Sequence, residues 1–397
     1  MVVYFAPLIF LVWALIAQLL KSKYLDRTVF ATCVFAIILI AGLRWYSDVD
    51  YEPYSDMYDD NPMLSEFNRE SITPLYGEAG YLFISAIFKT LGSRFFLLAF
   101  ACSVCSLLLK STVVRKLSGQ ASFAMCLYLC LHFITIEFIQ MRWAVATALL
   151  SLGFCFQYLQ KYKTAVLCFA LAPAFSYFSF LFWIVALLVT LKGYKRFYLL
   201  FGASLLGALL LKIDYLRGFL VSDSDIYLLT RLTRYASDPD SHIGLFSLVK
   251  LGMYPAIYIL CVRYNPSYSW KTDKLNLFLF KLSFISLSAA LLMTFLPILH
   301  ARATVIADFF SIVWVLNAMD KALNGEARSV SFGVLSALFG TWYLEDLLNN
   351  IESGYLSEYH TWLTAPAYWV LLACLMWLAY RLVQKPSPAR EVTARPC

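Results

Sequence analysis

Charge is what this sequence has least of. Asp, Glu, Lys and Arg make up 14% of 397 residues, 61% are hydrophobic, and mean hydropathy is +0.69. A soluble domain carries about 25% charged residues, so a water-soluble globule, a nucleic-acid binder and a disordered chain are excluded. Histidine is scarce too, with four residues. There is no H-E-x-x-H, no G-x-S-x-G and no Walker loop, so zinc, serine and ATP hydrolysis lack their usual motifs. Cysteine is absent from the long polar stretches. The ten cysteines lie in apolar runs apart from Cys397, which points to no disulfide framework and no metal site. Cys102 and Cys105 form a C-x-x-C, but inside an apolar run, where packing explains them better than redox chemistry. Internal repeats and low-complexity tracts are also missing.

What is present is a series of long apolar runs separated by short basic clusters. This pattern predicts an all-α polytopic integral membrane protein of about 13 spans, with 11–14 as the range, and not a membrane barrel of alternating strands. Spans are expected near 3–20, 28–43, 93–109, 121–137, 141–159, 164–175, 178–191, 197–211, 246–262, 277–298, 303–319, 330–346 and 367–383. The segments within 164–191 are too short for perpendicular spans and predict a hairpin broken around Pro173.

Basic residues set the orientation. The first run has no Lys or Arg before it and is followed by Lys21, Lys23 and Arg27, the reverse of a signal peptide, which places the N-terminus outside. Alternation then brings the other basic clusters inside with only Asp26, Asp273, Asp320, Glu326 and Glu391 for company. The net charge of +7 is therefore an insertion signal and not a nucleic-acid footprint. Residues 1–384 are expected to form a single transmembrane domain, with outer segments 44–92, 212–245 and 348–366, and 385–397 a cytoplasmic tail.

Segment 44–92 is acidic, with Asp48, Asp50, Glu52, Asp56, Asp59, Asp60, Glu66, Glu70 and Glu78. Within it, Gly80 to Leu91 is apolar without being a span, and predicts an amphipathic helix on the outer face. Chemistry is expected where arginines stand at span ends. Arg44 adjoins Trp45, Tyr46, Asp48, Asp50, Tyr51 and Tyr54; its plainer reading is an interfacial anchor. Arg142 stands near Glu137 and Gln140, and the plainer reading is a self-satisfying Glu137–Arg142 pair. Arg302 lies between His300 and Asp308. Arg231 and Arg234, with Tyr227 and Tyr235, share a helical i, i+3 spacing, and solvated loop charge is their plainer account. Arginine stays charged in a low-dielectric site and binds phosphate bidentately. His132, in an apolar run, reads as a satisfied intramembrane histidine.

The order of these elements resembles the EpsG-like branch of the Wzy-type polymerases of bacterial polysaccharide repeat units. The matching stretches are Arg44 with Asp50-Tyr51 and Tyr54, Glu78-Ala79-Gly80-Tyr81, Met141-Arg142-Trp143-Ala144 and Ala301-Arg302-Ala303. The chain departs from the pattern in having Asp48 before Asp50, Trp143 after the mid-chain Arg, and no His in Ala174-Phe175-Ser176-Tyr177-Phe178.

The resemblance implies an inner-membrane glycosyltransferase working at the periplasmic face. Its substrate would be an undecaprenyl-diphosphate-linked oligosaccharide, its partners a Wzz-type chain-length regulator and a flippase, and it would need no cofactor or metal. Asp50 or Glu78 would serve as base, and Arg142 and Arg302 would stabilise the leaving diphosphate. Arg44, Arg231, Arg234 and His300 would bind substrate, as would Tyr51, Tyr54 and Tyr81 by stacking on sugars.

Three rivals remain at this stage. A GT-C-type transferase would use Asp48 and Asp50 with a metal. An O-antigen ligase would differ in its acceptor alone. A flippase or transporter would place charge along a midplane cavity, where this chain offers only Lys250, Lys281 and Asp308.

Overall fold

The computed structural model describes residues 2–72, 75, 77–210, 245–265 and 273–357. Most of segment 212–245, with Arg231 and Arg234, lies outside the described residues, as do the expected span 367–383 and the tail. The described chain is helical; its one β-type contact is an isolated antiparallel bridge between Asp48 and Leu356. It forms two compact units, one made of Met1–Phe180 and the chain from Gly325 onward, the other of Leu181–Asn324.

The first unit begins with α1 (Ala6–Leu19), α2 (Lys23–Gly42), α3 (Tyr51–Asp60), α4 (Arg69–Ile72), α5 (Ala79–Thr90), α6 (Phe95–Leu117) and α7 (Ala121–His132). It continues with α8 (Met141–Tyr158) and α9 (Tyr162–Leu171). The second unit holds α10 (Leu181–Val189), α11 (Lys195–Leu210), α12 (Leu245–Tyr264), α13 (Lys274–Leu292) and α14 (Pro297–Ala322). The chain returns to the first unit with α15 (Gly325–Glu352). Local chemistry sets several boundaries. Ser22 caps α2 by accepting from the Leu25 amide, and Asp273 caps α13 by accepting from Leu275 and Asn276.

Five described helices are long and apolar enough to cross a membrane: Lys23–Gly42, Phe95–Leu117, Ala121–Ile139, Lys274–Leu292 and Ile298–Ala322. Other expected spans are shorter helices, including Val3–Leu19, Tyr162–Ala174 and Tyr177–Val189. Next to Pro173, α9 gives way to a 3-10 turn at Ala172–Ala174, followed by another at Tyr177–Phe180.

Beyond α7 the chain winds into a π-helix, Phe133–Ile139, and breaks at Gln140 before α8 starts. The start of α8 is deep. The Ala144 carbonyl accepts from Ser106 Oγ at 3.0 Å and Lys110 Nζ at 3.1 Å. Ser106 stands roughly 16 Å along α6 from its start at Phe95, at 1.5 Å rise per residue. The α7–α8 hairpin therefore turns well below the beginning of α6.

The segment expected as an outer loop packs against this turn. Tyr51, Tyr54 and Tyr58 of α3 and Tyr81 and Leu82 of α5 form one core with Phe95, Leu98, Ala99 and Cys102 of α6 and with Met141 and Val145 of α8. The i, i+3, i+7 spacing of the α3 tyrosines puts all three on its buried side, while Glu52, Asp56, Asp59 and Asp60 face outward. Backbone carbonyls tie the two helices. Lys89 Nζ donates to Asp59 and Asn61, Asn61 Nδ2 donates to Leu82 at 2.8 Å, and Tyr58 Oη donates to Ser93 at 2.7 Å.

In the second unit, Asp308 of α14 accepts from Tyr254 of α12 at 3.0 Å and pairs with Lys250 at 2.8 Å. The expected embedded charges Lys250 and Asp308 thus neutralise each other. Trp314 stacks on Tyr258 with ring centres 4.3 Å apart.

Where α2 meets α6 the approach requires glycine: a Cβ on Gly42 would lie 2.6 Å from Phe100 Cδ2 and 3.0 Å from its Cα. Gly42→Val is expected to destabilise the protein by about 1–3 kcal/mol, the usual cost of overpacking. Thermal unfolding of the purified protein in detergent measures this, and an unchanged midpoint would refute the close approach.

Candidate functional site

Arg142 occupies the first turn of α8, at the floor made by the recessed hairpin. Its Nη1 donates to Glu78 Oε2 at 2.5 Å and its Nε to Tyr54 Oη at 3.3 Å. Its Cζ lies 5.1 Å from the Tyr54 ring centre and 5.6 Å from that of Tyr81. The guanidinium is thus held by a carboxylate and two aromatic faces, a cradle that favours a planar cation. Glu78 stands at the N-cap of α5, where the chain turns from extended to helical. One residue past α5's first position, Gly80 lets the helix touch the 3-10 turn at Ala172–Ala174: a Cβ on it would lie 2.5 Å from Ala174 Cβ and 2.7 Å from its carbonyl oxygen.

Three of the ion pairs among the described residues of the first unit differ in access. Arg44–Asp48, at 2.7 Å, is closed, with both side chains 0% exposed. Lys110–Glu137 is equally closed at 1% and 0%. Arg142–Glu78 keeps 23% and 16% of its side chains exposed. Of these three pairs it alone is partly exposed.

Several expected roles change. Glu137 does not pair with Arg142: its partner is Lys110, and the π-helix carries its carboxylate into the bundle, where it also accepts from Ser106 Oγ and Tyr128 Oη. Arg44 is not an exposed interfacial residue. It donates to Asp48 Oδ2 and the Ala41 carbonyl, and lies 5.2 Å from the Phe138 ring centre. Burial pushes the Asp48 carboxyl above the usual carboxylate range, against the pull of Arg44. The pair fixes the turn 44–50, which is joined to the end of α15 by the Val49 amide on the Tyr355 carbonyl and the Ser357 amide on the Ser47 carbonyl.

Tyr51 and Tyr81 are not open stacking surfaces either, being 2% and 1% exposed. The Tyr51 ring lies 5.0 Å from Phe95 and 4.8 Å from Tyr46. Tyr54, 7% exposed, gives its face to Arg142. Burial raises the Tyr54 and Tyr81 phenols above their ordinary range, which keeps them as neutral hydroxyls and not as bases. The accessible rings beside the Arg44 turn are Trp45, half-buried, and Tyr46, 49% exposed. Asp50 is half-buried ahead of α3, and its charge acts on Tyr54.

In the second unit, Arg302 is half-buried in the first turns of α14. His300 is buried, with Nδ1 2.8 Å from the Ala290 carbonyl. Among the described residues, no three His, Cys, Asp or Glu side chains gather as a metal site would need. The sequence reading missed Lys110, Ser106 and Tyr128. A signal was there: Lys110 and Ser106 are four residues apart on a helix running to Leu117, beyond its expected end at 109.

A family comparison bears on this constellation. Residues 27–361 match the EpsG family over most of the chain, including Arg44, Glu78, Arg142 and Arg302. The chain belongs to the EpsG family. Membership makes it a membrane protein of polysaccharide biosynthesis. No curated protein and no solved structure matches it. The Arg142–Glu78 cradle lies within the matched range and brings a fixed cation against a carboxylate.

Gly80→Val is expected to push α5 off Ala174, carry Glu78 and Tyr81 away from Arg142, and lower polysaccharide output about 100-fold, as small misplacements of reacting groups do. Phe83→Ala, on the exposed side of the same helix, should leave output unchanged. Polymer assay in a deletion strain at matched membrane protein level measures both. Full output from Gly80→Val would rule out α5 as the element that places Glu78.

Proposed function

We propose that this protein polymerises undecaprenyl-diphosphate-linked oligosaccharide repeat units at the periplasmic face of the bacterial inner membrane. The observation that carries this reading is the accessible Arg142–Glu78 pair, seated where an acidic, tyrosine-bearing segment packs into a helical bundle. An acceptor sugar hydroxyl attacks the anomeric carbon of the growing chain. The new C–O bond forms as the bond from that carbon to the diphosphate oxygen breaks. The electron pair leaves with undecaprenyl diphosphate, and the hydroxyl proton passes to a carboxylate.

Arg142 supplies charge stabilisation to the leaving diphosphate. At rest its guanidinium is hydrogen-bonded to Glu78. When Arg142 turns to the diphosphate, Glu78 is released to accept the acceptor's proton, with Asp50 as the alternative base. Arg302 enters as a second phosphate-binding cation on its sequence setting. Trp45 and Tyr46 replace Tyr51 and Tyr81 as the rings offered to sugars. The GT-C reading is weakened because Asp48, one of its two metal carboxylates, is already committed to Arg44.

Arg142→Ala and Arg302→Ala are each expected to abolish long-chain polysaccharide and leave a single repeat unit, read as a loss of the ladder on a polysaccharide gel. Glu78→Gln keeps an acceptor for Arg142 but cannot take a proton, and its turnover should fall by about 10²–10⁴-fold. Full-length ladders from both arginine variants at normal membrane levels would refute the diphosphate role. A deletion strain with no outer-face intermediate would instead indicate a flippase, and unattached polymer a ligase.

A further inference from the structure

Lys110 and Glu137 form a closed polar cluster in the first unit, and the reaction scheme uses neither. Lys110 Nζ donates to Glu137 Oε1, to Ser106 Oγ at 3.0 Å and to the Ala144 carbonyl at 3.1 Å. Ser106 Oγ reaches Glu137 Oε2 at 2.8 Å and the same carbonyl at 3.0 Å. Tyr128 Oη donates to Glu137 Oε1 at 2.7 Å, and its ring centre lies 5.3 Å from Lys110 Nζ. The cluster thus grips the chain on both sides of the break at Gln140. Glu137 lies ahead of the break in the π-helix, and Ala144 follows it in the first turn of α8. Arg142 lies between the two anchored points.

We propose that Lys110 and Glu137 are positioning residues for Arg142, clasping both arms of the α7–α8 turn so that its guanidinium is presented to Glu78 and Tyr54. The link to catalysis rests on the reading of Arg142 as the diphosphate cation; the positioning itself does not. A π-helix is less regular than an α-helix and tends to occur at functional sites. Here the carboxylate near its end is paired with the buried Lys110 ammonium and accepts from Ser106 and Tyr128. The plainer account, that the cluster stabilises the fold by satisfying the three donors of a buried ammonium, predicts no change in the spacing of Arg142 and Glu78 when the pair is replaced by apolar residues.

The test separates placement from ligand binding. Lys110→Met alone would strand a buried carboxylate, so the working variant is Lys110→Met with Glu137→Leu, since buried ion pairs often tolerate apolar replacement. Placement is read by introducing Arg142→Cys and Glu78→Cys, bridging them in membranes with a bifunctional thiol reagent that spans the length of the two lost side chains, and identifying the linked peptides by mass spectrometry. Cross-linking is expected to be about tenfold slower once the Lys110–Glu137 pair is removed. Equal rates in both backgrounds would overturn the inference. Separately, the affinity for undecaprenyl diphosphate in nanodiscs should fall about tenfold for Arg142→Ala and for the pair variant, with no further loss when they are combined. Fully additive losses would mean that the pair acts elsewhere and would also overturn the inference. Slower cross-linking together with unchanged affinity in Arg142→Ala would leave the positioning role standing and refute the diphosphate reading.

Discussion

Lys110 and Glu137 need each other because a lone charge inside a packed apolar bundle costs several kcal/mol. Meeting that need shapes the first unit. Lys110 belongs to α6 and Glu137 to the segment that follows α7, so their contact draws the α7–α8 turn down beside the second half of α6. A turn at that depth leaves its backbone short of water, and polar groups of the bundle take water's place. Ser106 and Lys110 serve the Ala144 carbonyl, and Tyr128 serves the carboxylate. The recess must also be filled, and α3 and α5 fill it.

Tyrosine suits that filling role. It buries a large apolar ring and keeps one hydroxyl for a polar partner. Tyr58 uses that hydroxyl on a carbonyl and Tyr54 uses it on Arg142. The acidic residues of the same helix stay on the opposite side. One short helix therefore turns an aromatic side to the bundle and an acidic side outward. Its companion α5 is set by the Gly80 approach to Ala174, so the carboxylate at its N-cap is placed by backbone packing and not by a flexible loop.

Helix content and apolar character were legible in the sequence because each is a local signal; Glu78, Arg142 and Tyr54 were singled out by a short motif or a charge at the end of a run, and the structure brings the three into contact. Lateral pairing was not legible. Glu137 and Arg142 are near neighbours in sequence, and a pair between them was the natural guess. The structure instead pairs Glu137 with a lysine 27 residues away and Arg142 with a glutamate 64 residues away. Both partners are selected by how helices lie side by side, which no local pattern encodes. Tyr51 and Tyr81 misled for a related reason. An aromatic residue in an acidic outer segment has the same sequence signature whether it faces a sugar or the bundle, and only the recess, itself a product of long-range pairing, turns these rings inward.

The graded access of the ion pairs follows from the same geometry and separates structural from exchangeable charge. Arg44–Asp48 and Lys110–Glu137 are sealed, so breaking either leaves a charge with nowhere to go. Arg142–Glu78 stands at the edge of the recess, partly open to water. A guanidinium in a helical bundle needs a resting counter-ion, and Glu78 provides one; on the proposed reading a phosphate replaces it without stranding either group. On that reading, the carboxylate so released is then free to take the acceptor's proton. An arginine with no resting partner would hold the same charge less stably, and one in a sealed pair would hold it uselessly. A half-open pair is the arrangement in which one cation can serve stability before binding and charge stabilisation after it.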